Sequence, residues 1–281
     1  MLSYRHAFHA GNHADVLKHT VLLELLAYLQ RKEKPFTYID THAGAGLYAL
    51  DRGYAAQNAE YAGGIGRLWQ RDDLPAALDV YRAAVRDCNP GAALLNYPGS
   101  PWLAHRQLRP DDRMVLFELH GSDEEILREN FRTAGREVRI AAEDGFAGLK
   151  SYLPPPTRRG LVLIDPPYEE KRDYQRVVSL LAGSLKRFAT GTYALWYPQL
   201  QRAEAQGLPA QLLALNAPAW LHVTLAVQRP AEGGFGMHGS GLFIVNPPYT
   251  LPATLQGLLP YLVQHLGVDR GATFTLHHHI P

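Results

Sequence analysis

Four consecutive residues, Asp165-Pro166-Pro167-Tyr168, carry the most specific chemistry in the chain. The two prolines fix φ and supply no N–H, so the Asp165 carboxylate and the Pro166 carbonyl project as rigid, neighbouring acceptors. Two such acceptors match the two hydrogens of an exocyclic amine. The N6 lone pair of adenine is delocalised into its ring and is a poor nucleophile. Acceptors that hold both hydrogens in a tetrahedral arrangement localise the pair toward an incoming methyl group. Asp165 is also placed to accept the proton released after transfer. Tyr168 supplies a flat face for stacking a base drawn out of its helix.

A second constellation is made for a nucleoside. Asp40-Thr41-His42-Ala43-Gly44-Ala45-Gly46 is a turn of small residues that lets the backbone approach a ligand closely. Polar residues follow further β-rich runs: Glu118, then Asp144-Gly145, then Asp165. In an open α/β sheet ligands sit outside the carboxyl ends of the strands, so Glu118 is placed for two ribose hydroxyls and Asp144 for an adenine amino group. NAD and S-adenosylmethionine both satisfy these contacts. The turn lacks the third glycine of the G-x-G-x-x-G phosphate-binding fingerprint, which weighs against a dehydrogenase.

Seven β-rich runs must position these groups: residues 36–40, 114–119, 137–143, 161–165, 193–197, 222–228 and 242–246. Several are continuously apolar, as strands buried on both faces of a mostly parallel sheet are. A doubly wound, Rossmann-like α/β fold follows. The last two runs are joined by the Gly-rich Arg229–Gly241, too short for a crossover helix, and so form an antiparallel hairpin. Residues 14–30 carry Val16, Leu17, Val21, Leu22, Leu25, Leu26 and Leu29 at the spacing of an amphipathic helix. The acid expected about 20 residues beyond the glycine turn is displaced to Glu118. Residues from 47 to about 98 are therefore an inserted helical subdomain. This divides the chain into a tail and helix at 1–34 and a main domain at 35–281.

Composition bounds the function. The chain has 281 residues, a formal net charge of +1 and a single cysteine, Cys88. It is long enough for a large core, lacks the strongly basic footprint of a general nucleic-acid binder, and forms no internal disulfide. No run approaches the ~20 apolar residues of a membrane span, and the amino-terminal segment lacks a signal-peptide core. A cytoplasmic protein without membrane contact is the expectation.

Taken together, several segments identify a resemblance: Met1–His19, reading MLSYRHAFHAGNHADVLKH; Asp40–Gly46; Tyr97-Pro98-Gly99-Ser100-Pro101; Asp165–Tyr168; and Tyr193–Pro198, reading YALWYP. The chain resembles the J-type bacterial methyltransferases that act on adenine N6 in 23S ribosomal RNA. The likeness runs over essentially its whole length. It implies a class I methyltransferase fold and S-adenosylmethionine as methyl donor, lined by Lys18, His19, His42, Ser100, Glu118, Asp144 and Gly145. It also implies Asp165 as the catalytic residue. The family's tail covers the active site, which implies Tyr4 and His6, with Lys18, as contacts to the target adenosine beside Pro166 and Tyr168. The implied partner is 23S rRNA, naked or in early assembly, met by a monomer that needs no metal. Two other readings are a DNA adenine-N6 methyltransferase and a nucleic-acid-binding protein with a vestigial fold, acting in the use of external DNA.

Other features have plainer readings. Asn246-Pro247-Pro248-Tyr249 repeats the motif type, in the version used on glutamine amides, but ends the last strand of the hairpin, where it is expected far from the fourth strand as a structural exit. Thirteen histidines lack the paired spacing of a metal site, and His277–His279 read as a surface strand end or a vector-derived remnant. Cys88 reads as a packing residue. Basic residues at Arg5, Lys18, Arg31, Lys32, Lys34, Arg158, Arg159, Lys171, Arg172, Arg176, Lys186 and Arg187 divide between solvated faces and a phosphate-tracking rim.

Overall fold

The computed structural model describes residues 5–234 and 236–281. A 3₁₀ turn at His6–Phe8 leads to α1 (His13–Gln30), whose amino end is capped by Asn12: its side chain accepts from the N–H groups of Ala14 and Asp15 at 2.9 and 3.1 Å. After β1 (Thr37–Asp40) comes the insertion, made of β2 (Leu47–Ala49), α2 (Gly53–Asn58), α3 (Ile65–Leu68), α4 (Ala76–Arg86) and β3 (Asn96–Pro98). The chain continues through α5 (Ser100–Gln107), β4 (Arg113–Phe117), α6 (Gly121–Asn130), β5 (Val138–Ala141), α7 (Gly145–Gly148) and β6 (Gly160–Ile164). It ends with α8 (Lys171–Arg187), β7 (Thr192–Gln199), α9 (Ala203–Leu213), β8 (Trp220–Ala226), β9 (Gly239–Val245), α10 (Leu251–Leu266) and β10 (Thr273–His279).

The main sheet has eight strands in the order β10-β8-β9-β7-β6-β1-β4-β5, and β5 to β7 across that list are parallel. Successive side chains along each central strand enter two different cores. Tyr38, Leu116 and Leu161 enter the core under α1, α5 and α10, while Ile39, Phe117 and Val162 enter the core under α8 and α9. Two buried faces are the reason these strands read as unbroken apolar runs. The strand order reverses beside β1, between β1 and β6, which opens a crevice where Asp40 and Asp165 end their strands.

The structure revises four expectations. An eighth strand, β10, pairs antiparallel with β8, His277 opposite His222. Its exposed threonines and histidines alternate with the half-buried Phe274 and Leu276, so the histidine run is an edge strand. Helix α1 is not amphipathic in use: Ala14 to Leu23 are buried without a break, because the sheet covers one face and α4 and α5 cover the other. The insertion is not wholly helical, since β2 and β3 pair antiparallel and close its two ends together. Finally, β9 is separated from β6 by β7 alone. Asn246–Tyr249 is distant from the crevice because β9 runs against its neighbours: Val245 lies opposite Tyr193, near the amino end of β7, while Gly239 lies opposite Gln199 at its carboxyl end.

Candidate active site

Outside the carboxyl ends of β1, β4 and β6 lies a cavity of about 570 Å³. The turn after β1 needs its glycines there: Gly44 has φ +60°, and a Cβ on it would stand 2.3 Å from the hydroxyl of Tyr48. Gly145 packs against the same turn so closely that a Cβ would stand 2.0 Å from the carbonyl oxygen of Thr41. Glu118 fastens this floor. Its two oxygens accept from the N–H groups of Gly44 and His120, each at 2.7 Å. Burial pushes its carboxyl above the ordinary value, against the pull of those two N–H donors. One lone pair on each oxygen remains for a diol at the cavity wall.

Beneath the turn, Asp40 is fully buried and held by the hydroxyls of Ser100 and Tyr38, both donating to Oδ2 at 2.7 Å. Its carboxyl is raised by burial, opposed by those donors. His42 meets the hydroxyl of Thr41 at 2.8 Å and sets its ring edge-on to Phe146. His19 stacks on Tyr97 and bonds its hydroxyl at 2.7 Å, and that hydroxyl meets Tyr81 at 2.9 Å. Burial pushes both histidines down to about 3, so both are neutral imidazoles in the folded protein.

The far wall carries charge. Lys18, only 4% exposed, donates from Nζ to Oδ2 of Asp165 at 2.6 Å and to Oδ1 of Asp15 at 2.8 Å. Burial alone would lower its pKa; the Asp15 and Asp165 carboxylates outweigh burial and hold it above the ordinary lysine value. Lys18 thus occupies Oδ2 of Asp165, a residue that lines the cavity. The tail closes over this wall: Nε2 of His6 donates to Asp15 at 3.0 Å, Arg5 pairs with Asp123 of α6 at 3.7 Å, and Phe8 packs on Tyr54 of the insertion.

Lys18, His19, His42, Ser100, Glu118, Asp144, Gly145, Asp165 and His6 line one cavity. Tyr4 lies outside the described residues. Tyr168 differs from expectation. It is 2% exposed, in the left-handed region at φ 52°, with its ring against Tyr174 and Trp196 and its hydroxyl donating to the carbonyl of Trp196 at 2.7 Å. A buried ring offers no stacking face; Tyr168 is the pin that holds the strained Asp-Pro-Pro turn. Pro166 is buried beside it. Asp144 is already engaged, Oδ1 capping α7 at the N–H of Phe146 and Oδ2 paired with Arg176 at 2.5 Å, so an adenine amine has to share it.

The basic rim is narrower than the sequence suggested. Arg158 and Arg159 precede β6, and Lys186 and Arg187 end α8, which puts all four at the amino edge, away from the cavity. Arg172, at the start of α8, lines the cavity with Arg176, while Lys171 beside it pairs with Glu204 of α9 at 3.2 Å. Sequence reasoning missed Asp15, although Asp15, Lys18 and His19 at spacings of three and four residues share one helix face. Among the described residues no group of three or more His, Cys, Asp or Glu side chains is arranged to hold a metal ion, and no helix is long and apolar enough to cross a membrane. Burial pushes the Cys88 thiol up to about 11.

A doubly wound sheet closed by an antiparallel hairpin, with acids at successive strand ends around a turn of small residues, defines the Rossmann-like class I methyltransferases. Comparison with known proteins places the chain within that class. Residues 33–277 match the family model described as ribosomal RNA large subunit methyltransferase D, RlmJ. Ribosomal RNA large subunit methyltransferase J of Escherichia coli K12 is 50% identical over 262 residues, covering 93% of each chain. The protein of that name from Haemophilus influenzae is 46% identical over 277 residues, covering 98% of each. A Legionella pneumophila protein of known crystal structure, 34% identical, superposes with a TM-score of 0.88 over 96% of this chain and 98% of its own. The chain belongs to the RlmJ family.

Proposed function

We propose that the protein transfers a methyl group from S-adenosylmethionine to N6 of one adenosine in 23S ribosomal RNA. The observation that carries this reading is Asp165: a carboxylate at the end of β6, one oxygen held by Lys18, in the same cavity as Glu118 and the glycine turn. Glu118 would hold the ribose of the donor, with Asp144, Gly145, His42, His19 and Ser100 completing that side of the cavity. The closeness of Gly145 to Thr41 and the neutral state of both histidines suit a pocket shaped for a nucleoside. When bound, S-adenosylmethionine supplies an electrophilic methyl group on a sulfonium.

The chain's own groups do the rest. Asp165 and the Pro166 carbonyl hold the two N6 hydrogens, which directs the nitrogen lone pair into the cavity. As the new C–N bond forms and the C–S bond breaks, positive charge develops on N6, and the Asp165 carboxylate stabilises it and takes the departing proton. Tail residue His6, which lines the cavity, contacts the target nucleotide together with Lys18, a role that extends to Tyr4, outside the described residues. Lys171 and Arg172 meet RNA phosphates. The protein acts as a monomer in the cytoplasm, on rRNA not yet fully assembled.

The reading is tested with radiolabelled donor, deproteinised 23S rRNA, assembled large subunits and duplex DNA side by side, followed by mass analysis of the released nucleosides. N6-methyladenosine from free rRNA, lost in Asp165→Ala, supports it. Preferential labelling of DNA favours a DNA methyltransferase. Absence of heat on calorimetric titration with S-adenosylhomocysteine favours a binding protein without catalysis.

A further inference from the structure

Asp15 has no part in the reaction proposed above, yet it is 1% exposed and one helical turn from Lys18. A carboxylate taken that far from water is costly unless donors surround it. Two of its donors line the cavity. Oδ1 accepts from Lys18, Oδ2 accepts from His6, and Oδ2 also accepts from the backbone N–H of Gly11 at 2.9 Å. His19, a cavity residue, brings its Nε2 to 3.9 Å of Oδ1.

We propose that Asp15 is a positioning residue for methyl transfer: it anchors the Lys18 ammonium against Oδ2 of Asp165 and, through His6, joins the folded-down tail to that arrangement. The inference rests on the role given to Asp165. A lysine stem has four rotatable methylene bonds, and a single ion pair to a catalytic carboxylate would leave it many rotamers. Two carboxylates held at 2.8 and 2.6 Å from Nζ leave far fewer. Fixing Nζ fixes which oxygen of Asp165 is occupied and which is presented to the amine. Asn12 already caps α1, so the helix end has its donor satisfaction without the Asp15 side chain. The same carboxylate receives His6 from the tail, so tail docking and Lys18 placement share one acceptor group.

The test is a double-mutant cycle in the full chain, with single-turnover methyl transfer and calorimetric affinity for S-adenosylhomocysteine as separate readouts. Asp15→Asn is expected to lower the transfer rate about tenfold or more, since small misplacements of reacting groups cost that much, with cofactor affinity within about threefold. In a Lys18→Met background the same substitution is expected to cost several-fold less than in the unmodified chain, because one of its two targets is gone and only the tie to His6 remains. Asp15→Glu, which keeps the carboxylate, is expected to retain more of the rate than Asp15→Asn, and replaces it in the cycle if the asparagine variant does not fold. An equal rate loss in both backgrounds overturns the proposal, as does a loss confined to cofactor affinity or melting temperature. The product of the unmodified protein is identified in the same assay. A product other than N6-methyladenosine counts against the reaction assigned above, while the coupling between residues 15 and 18 still decides the present inference.

Discussion

The chain contains two turns of almost identical composition, Asp165-Pro166-Pro167-Tyr168 and Asn246-Pro247-Pro248-Tyr249, and the fold delivers them to opposite edges of the sheet. The first leaves β6 at the carboxyl edge of the parallel strands, and its acid meets Lys18 in the cavity. The second leaves β9, whose reversed direction delivers it to the amino edge. There Asn246, at φ 53°, donates from Nδ2 to the carbonyls of Ala189 and Gly191 at 2.8 and 2.7 Å and stitches the α8–β7 connection to the strand end. The tyrosines are inverted as well: Tyr168 is 2% exposed, Tyr249 69%. A rigid Pro-Pro exit is thus a mechanical part, and strand direction decides whether its first residue faces the cavity or ties a loop at the opposite edge.

The contrast is broken most directly at the first residues. Asp165→Ala is expected to lower methyl transfer about a thousandfold, the usual worth of a well-placed proton acceptor, whereas Asn246→Ala leaves transfer within about twofold. Initial rates with labelled donor measure both. Next come the tyrosines: Tyr168→Ala is expected to cost about 3–5 kcal/mol of folding stability from its cavity alone, and Tyr249→Ala less than about 0.5 kcal/mol. Equal losses in urea denaturation would erase the difference assigned to the two turns. Asn246→Ala, silent in the rate assay, is expected to cost about 2 kcal/mol from two lost hydrogen bonds and a left-handed backbone position.

The smallest effect separates the two edges by acid. His19, under the cavity, is pushed down to about 3 by burial, while an unfolded histidine titrates near 6.5. The unfolded chain then binds the extra proton, so this contribution to stability is full above about pH 6.5 and falls away as the pH drops toward 3. His19→Gln is expected to flatten the decline in unfolding free energy between pH 7 and 5, and substitutions around Asn246 are expected to leave that decline unchanged.

What the sequence disclosed follows the same physics. Strands buried on both faces are legible as unbroken apolar runs, and the acids at their ends point to the cavity, because a strand end is fixed once the strand is. Edge and interior contexts were less legible. β10 was hidden because an exposed edge strand carries polar side chains, and only the alternation of Phe274 and Leu276 marks it. The fully covered state of α1 depends on a subdomain that lies in front of it, which local periodicity does not encode. Tyr168 was misread for a related reason: an aromatic residue after two prolines has the right chemistry for stacking, and its burial against Trp196 is decided by a strand 28 residues on. Asp15 is a tertiary feature in a local disguise, an ordinary first-turn acid of a helix until Lys18 and His6 converge on it.

The pairing of β2 with β3 has a consequence for how this architecture can be altered. Leu47 lies opposite Pro98, and the N–H of Gly99 donates to the carbonyl of Gly46 at 2.8 Å, so the chain leaves and re-enters the sheet domain at one point. Everything between is a module with adjoining ends, the arrangement that tolerates domain insertion and circular permutation. Shortening it to a tight turn would keep the sheet connectivity intact while stripping the cover from α1. A graft at this junction therefore has one design requirement beyond length: its inner face must supply apolar side chains to replace the cover that Leu78 and Tyr81 of the native module provide.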